Sequence, residues 1–170
     1  MGGSRNGDLW ESPSTSRRLP IAPHSASQTH YGEDLRTALN RTIGCHACPL
    51  SADRTHVVPG AGDPAAFVAF VGEAPGRDED AQGLPFVGAA GGLLDKMIEG
   101  MQGELRKARP DAVFSRQSGA FVLNVCQCRP PMNRKPERSE VEVCSPNLWA
   151  ILRALPRVRI VVALGATPLQ

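Results

Sequence analysis

The sequence predicts an α/β protein in which helices cover both faces of a central parallel sheet. Three short apolar runs, "AAFVAFVG" (65–72), "AFVLNVCQ" (120–127) and "VRIVVALG" (158–165), have the length and composition of strands buried on both faces. Helical patterns separate these runs, and strands that alternate with helices pair in parallel. The 170 residues suffice for one domain with its own core.

Composition and charge narrow the class of protein. Apolar residues make up 41% and charged residues 21% of the sequence, which is ordinary for a soluble globular protein. The net charge of +2 permits a polyanionic partner without arguing for one. We find no apolar run long enough for a membrane span and no secretory signal, and we expect a cytoplasmic protein. Five cysteines there indicate ligands or free thiols rather than disulfides.

The domain organisation follows from periodicity. Residues 1–30 are rich in Ser, Pro, Gly and Arg, and we predict a disordered tail that precedes a domain over residues 31–170. The domain opens with a helix, because "GEDLRTALNRTIG" places Leu35, Leu39 and Ile43 on one face. A glycine then ends the helical pattern.

The remaining elements alternate as the fold class requires. After the first strand comes a loop rich in glycine and carboxylates, and then a helix over 92–101 with its apolar residues on one side. Residues 102–119 are polar and predict a connection with at most one further helical turn. A proline-rich loop follows the second strand, and the next helix is predicted to begin around Ser145–Pro146.

Distinctive residues follow all three strands, in the segments "GEAPG", "NVCQCRPPMNR" and "LGATP". The carboxyl ends of parallel strands meet at one edge of the sheet, which is where ligands of such folds bind. We therefore expect the first motif, the asparagines and two cysteines to lie near one another.

Four cysteines predict a metal site. Cys45 and Cys48 form a C-x2-C pair in an irregular segment, Cys128 opens the loop after the second strand, and Cys144 lies near the start of a helix. Cys126 lies inside a strand, where a thiol behaves as a small apolar side chain. Four thiolates suit zinc or an iron–sulfur cluster equally, so the spacing alone leaves the metal undecided.

The polar residues near the strand ends differ in what they indicate. Glu73 sits at a tight turn, where a carboxylate can stabilise a developing cation or position water. Asp78 and Asp80 are predicted to be solvated. Phe86 lies among glycines that let a flat ligand approach, although taken alone it is better explained as an ordinary core residue. Asn124 ends a buried strand, and its amide can read one edge of a heterocycle.

Taken together, these segments resemble the family 4 uracil-DNA glycosylases, the iron–sulfur type of bacteria and archaea. The match runs from about residue 40 to 168 and includes "CxxC", "GEAPGxxEDxxGxPFVGxAGxLLD" and "NVxxCRPPxNRxP" in order. The resemblance implies a three-layer α/β/α sandwich. It also implies a 4Fe–4S cluster, whose ligands would be Cys45, Cys48, Cys128 and Cys144.

The resemblance further implies an enzyme of base-excision repair, a hydrolase that cleaves the N-glycosidic bond between uracil and deoxyribose. Its partner would be uracil-containing DNA, and we expect a monomer. Phe86 would stack on a flipped uracil, and Asn124 would read its edge. The residues so placed in the substrate site are Ala74, Phe86 and Asn124, and those assigned to catalysis are Glu73, Glu79 and Asn133.

The sequence departs from the family at its end. Members continue beyond the third strand with a further strand and a histidine that stabilises the departing base, whereas this sequence ends at Gln170. We therefore expect a fragment that lacks the last strand and has weak or no activity. Two alternatives stay open: a fragment that binds DNA without cleaving it, and a zinc-stabilised nucleotide-binding domain unrelated to repair.

Overall fold

The computed structural model describes residues 34–169. The predicted tail over residues 1–30, and with it the boundary at residue 31, lies outside the described residues. The helices and strands, in chain order, are α1 (Leu35–Ile43), β1 (Ala61–Gly62), β2 (Val68–Gly72), α2 (Arg77–Gln82), α3 (Ala89–Ala108), β3 (Ala120–Asn124), α4 (Arg138–Arg153) and β4 (Ile160–Ala163). Single 3-10 turns lie at Pro49–Ser51, Pro131–Asn133 and Thr167–Leu169.

The strands form one sheet in the order β1-β3-β2-β4. The three predicted strands pair in parallel, with β2 in the middle: Val68 lies opposite Ala120 on one side and Ile160 on the other. Strands β2 and β3 are buried on both faces as predicted, but β4 is not, because Ile160 and Val161 at this edge of the sheet are 51% and 55% exposed. The sheet is mixed rather than purely parallel, because β1 pairs antiparallel with β3. This strand has two residues, one of them glycine, and is too short to show a strand pattern in the sequence.

Two cores lie on opposite faces of the sheet. On one face, Val68 and Phe70 of β2 pack with Leu94 and Ile98 of α3. On the other face, the alternate residues of β2 and β3 pack against α1 and α4. The buried residues of this second core are Ala38, Ala66, Ala69, Val71, Phe121, Leu123, Val125, Leu148, Ile151 and Leu155. The predicted helical cover of both faces is thus present.

Helix α3 is longer than predicted. It continues to Ala108, through residues that the sequence analysis treated as a polar connection. The polar residues lie on exposed helix surface, which hides the apolar period, while Leu105 still packs against the core. Gln102 of this last part binds the following segment, because its amide donates to Ala112 O at 2.8 Å and accepts from Phe114 N.

Helix α4 begins at Arg138, so the predicted start around Ser145–Pro146 is wrong. Pro146 lies inside the helix, and the neighbouring Ser145 hydroxyl donates to Val141 O at 2.7 Å. The true start is marked by Glu140, whose carboxylate accepts from Glu137 N at 2.7 Å. In the sequence, the signal for this helix start is a glutamate that follows another acidic residue by three positions.

Among the described residues, no helix combines the length and the apolar character needed to cross a membrane.

Candidate functional site

A cavity of about 590 Å³ opens at the carboxyl ends of β2 and β3. It lies where the topology of the sheet predicts a ligand site. It is lined by Ala74, Gly76, Arg77, Asp78, Glu79, Phe86, Gly88, Ala89, Ala90, Asn124, Arg129, Met132 and Asn133. Five of the six predicted substrate and catalytic residues are thereby brought together.

Phe86 is held in a backbone conformation that few residues with a side chain adopt. Its φ angle is +54°, in the left-handed region. Its ring packs directly over the last residue of β2, Gly72, where an added Cβ would overlap the ring and the Asn124 side-chain oxygen. A residue without a side chain at the end of β2 therefore lets the aromatic ring and the amide lie side by side.

Asn124 ends β3 and is only 2% exposed. Its backbone carbonyl accepts from Gln127 Nε2 at 3.0 Å. Within the part of the chain that the structure describes, its side-chain amide forms no hydrogen bond. A nearly buried amide that faces a cavity with both its donor and its acceptor available can recognise a polar edge of a ligand.

Glu79 lines the cavity, and its carboxylate connects the surrounding backbone. One oxygen accepts from Val87 N at 2.9 Å and from Gly88 N at 2.8 Å, and the other accepts from Gly76 N at 3.0 Å. These three N–H groups belong to the turn before α2 and to the loop before α3. Glu79 therefore holds two walls of the cavity together and keeps a negative charge beside it.

The remaining acidic residues of this region differ from one another. Glu73 is not among the described residues that line the cavity. Its carboxylate instead accepts a hydrogen bond from the hydroxyl of Thr167, which follows β4. Asp78 is exposed, as predicted. Asp80 is 3% exposed, and it accepts from the backbone of Thr55 at 2.9 Å, so its prediction as a solvated residue is wrong. Helix α2 buries it against that backbone, which the sequence pattern did not show.

Two arginines, Arg77 and Arg129, line the cavity. Arg129 Nε donates to Asn133 Oδ1 at 2.7 Å. Met132 and Asn133 both have left-handed φ angles, 55° and 57°, within a loop stiffened by prolines. Arg77 also lines the cavity, and its Nε lies 3.4 Å from Asp78 Oδ1. Guanidinium groups at the mouth of such a cavity suit the phosphates of a nucleotide chain.

A second, narrower cavity is lined by all four predicted ligand cysteines, Cys45, Cys48, Cys128 and Cys144. They come from the segment after α1, from the loop after β3 and from α4. Cys126 lies outside this cavity and is fully buried, as the sequence predicts. Its predicted position inside the strand is wrong, because β3 ends at Asn124 and Cys126 follows it.

The surroundings of these thiols shift their pKa values in different directions. Burial raises the pKa of Cys128 to about 11, although Arg54 Nη1 donates to its Sγ at 3.2 Å and opposes the rise. Burial also raises the pKa of Cys48. The pKa of Cys144 is lowered, chiefly because a hydrogen bond from Cys126 favours its thiolate. Thiols with a raised pKa lose their protons when they bind a metal.

The four thiols form a donor set that could hold a metal centre. Among the described residues, no three His, Cys, Asp or Glu side chains converge closely enough to hold one metal ion. Zinc would require its ligands to meet within about 2.3 Å of one point. In an iron–sulfur cluster each thiolate binds a different iron, so the four sulfurs stand further apart around a larger group. Four thiols around one cavity fit such a group.

Comparison with known proteins agrees with this geometry. The profile of the family described as "Uracil DNA glycosylase superfamily" matches residues 59–170. The chain belongs to this superfamily. The matched range contains every residue that lines the larger cavity, together with Cys128 and Cys144, whereas Cys45 and Cys48 precede it.

Curated members of the superfamily support the assignment. A type-4 uracil-DNA glycosylase of Archaeoglobus fulgidus is 41% identical over 78% of the chain and 60% of its own length. One of Sulfurisphaera tokodaii is 44% identical over 78% of the chain and 55% of its own length. A type-5 enzyme of Thermus thermophilus is 34% identical over 66% of the chain and 52% of its own length. The chain spans a little over half the length of these relatives.

Two residues that line the smaller cavity were not predicted from the sequence, Arg54 and Gln127. Arg54 carries no signal beyond its position shortly after the C-x2-C pair. Gln127 is 1% exposed and lies between the two cavities, because its amide donates to Asn124 O and accepts from the Cys144 thiol at 2.8 Å. A polar residue between two motif residues was the only hint of its role.

Proposed function

We propose that this chain provides the uracil-binding and bond-cleaving site of a uracil-DNA glycosylase, a hydrolase of base-excision repair. The observation that carries the proposal is the unpaired, nearly buried amide of Asn124 beside the ring of Phe86, in a cavity of this superfamily. Uracil-containing DNA would be the partner, and the type-4 relatives support that substrate. The cytoplasmic location and the monomeric state stay predictions.

Recognition would use one face and one edge of the base. Uracil must leave the base stack before its glycosidic bond can be reached. Stacking on Phe86 contributes on the order of 1–3 kcal/mol. Asn124 would accept from uracil N3–H and donate to O4. Cytosine presents the opposite pattern at these positions, and it would leave buried polar groups unpaired, which is a strong source of discrimination.

The reaction is a hydrolysis. The oxygen of a water molecule bonds to the sugar carbon C1′, the bond from C1′ to the base nitrogen breaks, and its electron pair leaves with uracil. The proton that the water loses ends on the departing uracil anion. Positive charge develops on the sugar, and nearby carboxylates stabilise it. Glu79 supplies a fixed negative charge in the wall. Glu73 precedes Ala74, which lines the cavity. Asn133 and Arg129 would hold the sugar-phosphate chain at the rim.

We propose a 4Fe–4S cluster as the group held by Cys45, Cys48, Cys128 and Cys144. The shared cavity, which all four thiols line, supports this proposal. The cluster would supply covalent cross-linking between three separate segments of the chain. Arg54 would neutralise part of the thiolate charge.

Uracil release from a single-stranded oligonucleotide with one uracil tests the proposal, with a matched oligonucleotide carrying cytosine instead. We expect Asn124→Ala to lower the rate by about two to three orders of magnitude. Gly72→Ala should also lower it, because its Cβ displaces the ring and the amide. Gly92→Ala is the control, since an added Cβ there meets nothing within 4 Å.

Two results would contradict parts of this proposal. Equal release of uracil and cytosine would remove the assigned role of Asn124. Binding of the uracil oligonucleotide without release by protein that contains iron and sulfide would favour the DNA-binding alternative.

A further inference from the structure

We propose that Arg116 is a positioning residue that sets the orientation of the Phe86 ring and so the stacking of the base. The inference rests on the proposed function, since it concerns the same cavity. Arg116 lies in the connection between α3 and β3, and it does not belong to the residues lining the cavity. Its action on the site must therefore pass through another residue.

The guanidinium of Arg116 binds the backbone on both sides of Phe86. Nη1 donates to Phe86 O at 2.9 Å and to Pro85 O at 3.3 Å. Nη2 donates to Gly91 O at 2.9 Å, and Nε forms an ion pair with Asp95 Oδ1 at 2.6 Å. The side chain is 19% exposed, so these bonds are largely shielded from water.

Phe86 needs such an anchor because its backbone conformation is unfavourable. Left-handed residues with a side chain persist only where the surroundings enforce them. The carbonyl of Phe86 lies so close to the first turn of α3 that a Cβ on Gly91 would overlap it. Arg116 joins the carbonyls of these two residues, and it thereby fixes the turn from which the ring reaches over Gly72.

Arg116 is itself held in place. Ser115 and Ser118 bind each other through their backbones at 2.8 and 3.2 Å, which closes a tight turn around it. Gly119 N donates to Asp63 Oδ2 at 2.8 Å, and this ties the end of the turn to the segment after β1. Gln102 ties the start of the connection to α3, as described above. The connection between α3 and β3 is thus fixed at both ends, and it holds the Arg116 guanidinium against the backbone of Phe86.

Arginine is specific for this task because its planar fork presents several donors in fixed directions. A lysine would keep the charge but could not bind three carbonyls and a carboxylate at once. Arg116→Lys should therefore restore little of what Arg116→Met loses. A role in attracting DNA phosphates would predict nearly full restoration by lysine.

The test is a double-mutant cycle with Phe86→Ala, measured as kcat/KM for uracil release from a single-stranded oligonucleotide. We expect Arg116→Met to lower kcat/KM about 10- to 100-fold in the parent and less than twofold in the Phe86→Ala background. Arg106→Met, at an exposed position on α3, is the control for loss of one positive charge. Equal losses in both backgrounds, or no loss in the parent, would overturn the inference.

A second readout is independent of activity, so that failure of the proposed function is distinguishable. In protein labelled with 4-fluorophenylalanine, the ¹⁹F signal of Phe86 is assigned by its loss in Phe86→Leu. We expect Arg116→Met to shift or broaden this signal and to leave those of the core residues Phe70 and Phe121 unchanged. If the core signals also change, Arg116→Lys is measured in its place. An unchanged Phe86 signal would overturn the inference even if uracil release is never observed.

Discussion

The ring of Phe86 and its backbone make opposing demands. The ring lines the cavity, but the left-handed φ of +54° crowds Cβ against the neighbouring backbone. This conformation costs a residue with a side chain roughly 1–2 kcal/mol, whereas glycine adopts it freely. The protein therefore gives up stability at this position in order to present an aromatic surface.

A pair of substitutions isolates this backbone cost. Phe86→Ala and Phe86→Gly both remove the ring, and both should lose uracil release. At most positions alanine is the more stabilising of the two, but here we expect the glycine variant to unfold at a Tm about 2–4 °C higher. Thermal unfolding followed by circular dichroism measures the difference. A higher Tm for the alanine variant would show that the backbone is unstrained.

At the level of elements, continuous apolar runs made the three long strands predictable. Each run contains its strand, and β2 and β3 are buried on both faces, as predicted. The predicted burial of the third strand is wrong, since Ile160 and Val161 of β4 are more than half exposed. Helix ends were harder to predict. Pro146 suggested a helix start, yet it lies well inside α4, and the exposed polar residues of α3 hid its last two turns.

The site was predictable where motif residues face the cavity, as with Phe86 and Asn124. It was not predictable where a side chain binds distant backbone. Glu79 accepts only from N–H groups, and Arg116 donates mostly to carbonyls. Every residue other than proline offers the same backbone groups, so such bonds leave no pattern in the partner's sequence. Only the fold reveals which segments meet.

The loop after β3 is fastened to α4 by an ion pair with a defined pH dependence. Arg134 donates to both oxygens of Glu140, at 2.8 and 2.7 Å, and this lowers the pKa of Glu140 from its ordinary value of 4.5. A carboxyl whose pKa is lower in the folded state stabilises the fold above its unfolded pKa. The contribution disappears as pH falls through the folded pKa.

We therefore expect Glu140→Gln to have a lower Tm than the parent protein at neutral pH, and the two values to converge from about pH 5 downwards. Thermal unfolding of both proteins across this range measures the gap, and their comparison at each pH cancels the effects of other acidic groups. A constant gap would mean that the carboxylate charge contributes nothing.

At the scale of the whole molecule, the two cavities share one wall. Asn124 and Arg129 line the larger cavity, while Gln127 and Cys128 line the smaller one. The segment that would read the base is thus the same segment that would hold a cluster ligand. Loss of the cluster should release this wall and act on both cavities at once.

This predicts a joint loss of stability and activity. Cys128→Ser should lose iron and acid-labile sulfide, lower Tm and reduce uracil release. Cys126→Ala removes the hydrogen bond to Cys144 but none of the four thiols that line the smaller cavity, so it should retain both iron and sulfide. Chemical analysis of metal and sulfide, beside the activity assay, tests both variants. If the protein contains zinc bound by these four cysteines and no iron, the result would contradict the cluster and support the zinc alternative.

The central position of β2 has a consequence for how the protein is made. This strand emerges from the ribosome before both of its neighbours, and it pairs with residues near 120 and near 160. At roughly 5–20 residues per second, β2 waits on the order of ten seconds for its second partner. An apolar strand that is unpaired for so long is a point where a nascent chain can associate with another. Slower translation between the second and third strands should therefore lower the yield of native protein.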